Sequence, residues 1–130
     1  RGTKNGIKKG MVVLEKDYLV GKVIEVNFTT SRAILISDLN SNIPVVIEPG
    51  GFQSILNGTG KNHGKIKYSK DEINFEDNSI VYTSGLGGNF RPGIPVGIIN
   101  NEIDNLAVQF FSDLSQLSYV KIQSIKVKEE

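Results

Sequence analysis

Residues 81–97 read Val-Tyr-Thr-Ser-Gly-Leu-Gly-Gly-Asn-Phe-Arg-Pro-Gly-Ile-Pro-Val-Gly. An apolar, β-branched stretch enters a glycine-dense loop, turns at Pro92-Gly93 and leaves on a second apolar stretch. Glycine and proline at this density break helices, whereas the flanking valines, isoleucines and tyrosine fit a pleated strand. The segment therefore reads as strand, long loop, strand, with the glycines supplying positive φ in a tight β-to-β connection. The rest of the chain repeats this grammar. Short apolar runs at 11–14, 18–26, 33–36, 43–47, 80–82, 94–99, 108–111 and 119–127 alternate with turn-forming clusters at 16–17, 27–31, 38–42, 49–51, 57–64 and 100–101. Such spacing predicts an all-β barrel or sandwich. Only residues 49–56 and 113–117 leave room for a turn of helix.

An internal repeat organises these segments. Sliding the chain by about 75 positions sets Ala33-Ile34-Leu35-Ile36-Ser37-Asp38-Leu39 over Val108-Gln109-Phe110-Phe111-Ser112-Asp113-Leu114, and Val45 and Ile47 over Val120 and Ile122. With slightly different offsets, Leu19-Val20-Gly21 lies over Pro95-Val96-Gly97, and the valines after Gly10 lie over Ile80-Val81. Duplication of a small β unit is the reading. It predicts one β unit over residues 1–70 and a second over 74–130, joined by a polar connector around 70–77. Each unit is near the size at which a lone core is marginal. The two should therefore pack together, and exchange of strands between them stays open.

Composition removes several function classes. A net charge of +1 with scattered lysines gives no electrostatic footprint for nucleic acid. The absence of cysteine rules out disulfides and thiolate metal sites. No apolar run approaches the roughly 18 residues of a membrane span. The chain starts at Arg1 with no Met, and we expect it to be a piece of a longer protein, with any anchor lost along with the missing N-terminus. The acidic group Asp71, Glu72, Glu76 and Asp77 carries no glycine to shape a Ca²⁺ loop and reads as a solvated connector. The loop Gly85-Leu86-Gly87-Gly88 runs into a strand, so no helix terminus faces a phosphate. No cofactor or metal is expected. Ser84 beside glycines suggests a nucleophile with His63 as base and Asp71 or Asp77 behind it, in the order of a two-barrel serine protease. All of these fall within 22 residues, a spacing that hardly lets base and nucleophile face one cleft from two barrels. A two-barrel hydrolase or degenerate relative, and a glycan- or peptide-binding β module, stand as alternatives to a scaffold.

Recognition surface remains. Phe28, Phe52, Phe90, Phe110 and Phe111 lie near predicted element ends. Phe90 and Arg91 at the loop tip pair an aromatic with a cation, as interface hot spots do; alternatively, Phe90 folds back to plug one end of a barrel. With Leu86 and Ile98 they form the predicted partner-binding set. Pro44 and Pro95 suggest that segments 43–47 and 94–99 are sheet edges. Lys121, Lys126 and Lys128 punctuate the C-terminal segment as gatekeepers. Dimers or filaments through the less charged edges follow as an expectation.

The chain resembles the family of rod shape-determining proteins MreC. The resemblance rests on Gly6-Ile7-Lys8-Lys9-Gly10 with its following valines, Leu19-Val20-Gly21-Lys22-Val23, Ser37-Asp38, Ile43-Pro44-Val45, and the segment 81–97 with which the chain was introduced. One departure is Asn78-Ser79, where the family usually carries Gly-Asp. The resemblance implies two six-stranded β-barrels in a chymotrypsin-like layout without catalytic residues. It implies a periplasmic domain, anchored to the cytoplasmic membrane by an upstream helix. It implies a non-catalytic scaffold of cell elongation that binds itself, MreD, MreB, and the transpeptidase and glycosyltransferase that extend peptidoglycan.

Overall fold

The computed structural model describes residues 1–67, 78–85, 90–103, 106–117 and 120–123. Among these, a 3-10 turn at Thr3–Asn5 precedes ten strands. They are β1 (Val12–Glu15), β2 (Tyr18–Val26), β3 (Ser31–Leu35), β4 (Asn42–Glu48), β5 (Phe52–Gly58), β6 (His63–Ile66), β7 (Ile80–Thr83), β8 (Pro95–Ile99), β9 (Ala107–Phe110) and β10 (Lys121–Gln123). The expected all-β class is borne out. One sheet has the order β10-β1-β2-β3, and the other six strands close into a barrel in the order β4-β5-β6-β9-β8-β7. The second sheet is four-stranded among the described residues, where the resemblance implied another six-stranded barrel.

Pairing follows the repeat and then departs from it. β1, β2 and β3 make an antiparallel meander, and β7, β8 and β9 make its counterpart. After each meander the chain crosses to the other unit. β4 pairs with β7 through Val45↔Thr83, and β10 pairs with β1 through Val13↔Ile122. The expected boundary near 70–74 therefore does not separate the two sheets, because β4, β5 and β6 from the first half complete the barrel of the second. The duplicated turns keep a common chemistry. Asp38 Oδ1 accepts from the Asn40 N–H (2.8 Å), and Asp113 Oδ1 accepts from the Ser115 N–H (3.0 Å). Both are Asx turns, in which a short carboxylate mimics a backbone acceptor.

Alternation fixes which face each strand buries. In β4, Ile43, Val45 and Ile47 point into the barrel and are buried, while Pro44 and Val46 face outward and are half-buried. Val12, Leu19, Val20 and Val23 fill the second sheet's side of the same continuous core. Prolines 44 and 95 do not mark sheet edges. β4 and β8 each have two neighbours, because closing the barrel removes edges altogether. The Pro44 carbonyl accepts from Ser84 N–H (3.1 Å) just beyond the last β4–β7 pair, so its missing N–H falls where that ladder ends. Pro95 sits at the β7–β8 bulge, where proline is tolerated. The turn of helix considered at 49–56 is absent, since Phe52–Gly58 is a strand whose residues 52–57 pair with β4. At 113–117 a single turn does form, closed by Gln116 N–H on the Asp113 carbonyl (3.1 Å).

Where β8 crosses β9, Gly97 brings two backbones together. A Cβ added there would stand 2.3 Å from the Gln109 carbonyl oxygen. Gly97→Ala is expected to lower the unfolding free energy by about 3 kcal/mol through overpacking, as read by urea denaturation. A loss smaller than about 1 kcal/mol would mean that the two strands have slack to part.

Candidate functional site

The glycine-rich connection is closed at its base by one threonine. Thr83, the last residue of β7, is fully buried. Its Oγ1–H donates to the Arg91 carbonyl (2.6 Å), and Oγ1 accepts from the Ile94 N–H (2.9 Å). Its backbone adds two more bonds, N–H to the Ile94 carbonyl (2.9 Å) and carbonyl from the Gly93 N–H (2.8 Å). Gly85 has φ of 79°, and a Cβ on it would meet Pro92 at 2.9 Å. The loop is thus cinched between residues 83 and 94. Leu86, Gly87 and Gly88 lie outside the described residues.

Phe90 is not displayed at the loop tip. Its ring is 6% exposed and belongs to the core, with the Lys22 ammonium of β2 5.3 Å from the ring centroid. That distance suits a cation–π contact. Burying a Phe side chain stabilises by about 2–3 kcal/mol, which favours the inward of the two arrangements the sequence allowed. Phe90 is therefore turned inward and not presented at the loop tip. Arg91 is half-buried beside it.

The serine-hydrolase arrangement is not assembled. His63 opens β6 and Ser84 follows β7. In the barrel these strands are three positions apart in either direction, on opposite walls. Asp71 and Asp77 lie outside the described residues. Among the described residues no group of His, Cys, Asp and Glu is placed to hold a metal.

Two candidate surfaces are left. Among the described residues β3 pairs only with β2, so its other side is an open edge. The Ile36 N–H donates inward to the Val20 carbonyl (3.0 Å), and strand alternation then turns the Ala33 N–H outward. The single charge on this strand, Arg32, is matched by Glu25 at 3.5 Å in an exposed pair. Phe28, 69% exposed, and Leu39, 72% exposed, flank the two ends of the edge. Beside it lies a groove of about 240 Å³ lined by Ile24, Ile34, Ile36, Ile43 and Phe90. The other surface is the barrel's outer face, where Val46, Tyr82 and Pro95 line up across three strands next to Ile80 and Ile98. All five are half-buried. Ile98 thus sits on a broad apolar face rather than on an edge. At the opposite margin of the small sheet, Lys121 of β10 is exposed and lies 3.8 Å from Asp17, while Lys126 and Lys128 are outside the described residues.

This arrangement defines a class of small β proteins in which a closed barrel and a second sheet share one core through exchanged strands. Within that class the chain belongs to the MreC family: the family model described as "Rod shape-determining protein MreC, barrel core" matches residues 1–124. It is similar to the cell shape-determining protein MreC of Caulobacter vibrioides, 34% identical over 96% of this chain. The chain spans only 36% of that protein's length. A solved structure named MreC superposes with a TM-score of 0.83 at 27% identity, covering 95% of this chain and 74% of the other. Another, at 23% identity and a TM-score of 0.67, shares the fold over 86% of this chain and 75% of its own; it is described as the major periplasmic domain of the cell shape-determining filament MreC.

Thr83→Val keeps the shape of the clamp and removes both hydroxyl bonds, stranding a buried N–H and a carbonyl. It is expected to lose about 2 kcal/mol of stability and to raise amide exchange at Ile94. Thr83→Ser, which retains the hydroxyl, should lose less than half as much; equal losses would show that the methyl packing dominates.

Proposed function

We propose that this domain is a non-catalytic scaffold of bacterial cell elongation that assembles with copies of itself through the β3 edge. The observation that carries the reading is an open, lightly charged edge strand flanked by two strongly exposed apolar side chains. Unblocked edges of this kind pair with other strands. The family's role in determining cell shape supports it, as does the filament named for a structural relative. The outer barrel face bearing Ile98, with Arg91 at the loop base, serves as the second contact, for membrane and wall-synthesis partners. Following the family, these are MreD and the elongation transpeptidase and glycosyltransferase, while MreB, on the inner side of the membrane, is met by another part of the full-length protein. The domain works on the periplasmic side. Among the described residues no helix is long and apolar enough to cross a membrane; following the family, a helix elsewhere in the full-length protein would anchor it.

Sedimentation velocity over a concentration series tests the edge. The wild type is expected to associate as concentration rises. Phe28→Lys with Leu39→Lys, and separately Ala33→Pro, should weaken association at least about tenfold, equivalent to roughly 1.4 kcal/mol. Ala33→Pro removes only an outward N–H and should leave the β2–β3 ladder intact. Ile98→Lys should assemble as the wild type does. A wild type that stays monomeric throughout would defeat self-assembly by this domain, and assembly unaffected by the edge variants would place the contact elsewhere.

A further inference from the structure

On the wall formed by β6 and β9 lies a cleft of about 710 Å³ that the scaffold reading does not use. Its size is typical of small-ligand sites, which run from roughly 300 to 1,000 Å³. Ser112 lines it, is 7% exposed, and has an Oγ with no hydrogen-bond partner among the described residues. Buried hydroxyls are nearly always satisfied, and a ligand hydroxyl seated against Ser112 would supply the bond that none of the described residues makes. The walls offer more unfilled polar capacity. Gln109 is oriented by Asn100, whose Nδ2–H donates to Gln109 Oε1 (2.9 Å) while its own Oδ1 accepts the Glu102 N–H (3.0 Å). This leaves the Gln109 amide N–H groups available. Asn62 and His63 stand alongside, His63 directly opposite Gln109 in the ladder. Asp113 holds the Ser115 N–H and Oγ–H on Oδ1, and these two bonds keep its carboxyl below the usual carboxylate range and therefore anionic. Ile103 and Phe111 supply apolar surface.

We propose that this cleft binds a neutral saccharide. Amide, imidazole, hydroxyl and carboxylate groups beside an apolar wall match a ring that carries hydroxyls on its rim and C–H groups on its faces. No lysine or arginine is among the lining residues, so the fork or point charge that holds phosphates and carboxylates is missing. An extended peptide lacks its usual purchase, because β6, β9 and β8 each have both neighbours and offer no edge for strand addition. The inference is independent of self-assembly, since β3 lies in the other sheet.

Titration of the ¹⁵N-labelled domain with cellotetraose and with chitotetraose tests it. One or both saccharides should shift the His63, Gln109 and Ser112 amides saturably. Gln109→Ala, at an exposed position and checked for an unchanged Tm, and Ser112→Ala should each weaken binding at least about tenfold. Ser112→Ala removes an unsatisfied atom and should leave Tm unchanged or raised. No saturable shift with either saccharide up to about 10 mM, a concentration that detects even weak millimolar binding, overturns the proposal. So does a response to tetra-alanine alone, which would make this a peptide cleft. A lowered Tm in Ser112→Ala with unchanged binding also overturns it, by assigning the hydroxyl to a structural water.

Discussion

Each half of the chain lends strands to the other, β4, β5 and β6 in one direction and β10 in the other, and the rest of the structure depends on that reciprocity. A three-stranded meander of this length buries too little to stand alone. By sending β4 to β7 and β10 to β1, the chain turns two marginal units into one cooperative core in which neither sheet can open without breaking the other. β4 then recruits β5, and β6 meets β9 to close the barrel. Closure decides what remains on offer to other molecules. The barrel has faces but no edges, and strand pairing is confined to the small sheet.

The glycine-rich connection plays its part by restraint. Thr83 collects four hydrogen bonds at one point, so the chain leaves and re-enters the barrel wall through a fixed gap. That gap sends Phe90 inward against the second sheet, where Lys22 covers its ring. A loop dressed with an aromatic and a cation thus acts largely as mortar between the two sheets. The surfaces proposed for recognition lie elsewhere, at the edge flanked by Phe28 and Leu39 and on the face around Ile98.

Period-two patterning made much of this legible. Ile43, Val45 and Ile47 announce a buried face without any knowledge of neighbours, and the paired Asp38 and Asp113 turns expose the duplication. The crossing of β4 and β10 is not readable, because pairing partners 32–38 residues away for β4 and 107–111 for β10 leave no local mark. For the same reason Pro44 and Pro95 suggested edges. Proline forbids only a bond in the direction its nitrogen faces, and that direction depends on register. Phe52-Gln53-Ser54-Ile55-Leu56 is short and bounded by Pro-Gly-Gly, so strand and helical turn were hard to separate until β4 supplied a ladder. Ser112 looked like an ordinary turn residue. Its importance lies in burial without a partner, which only the assembled cleft reveals.

Antiparallel pairing of β1 with β10 sets Val12 beside Gln123. These two residues are 111 positions apart in the chain and about 5 Å apart in space by ordinary strand spacing. The small sheet is therefore completed only when the last described strand arrives, and a chain cut short of it would leave β1 as a second open edge.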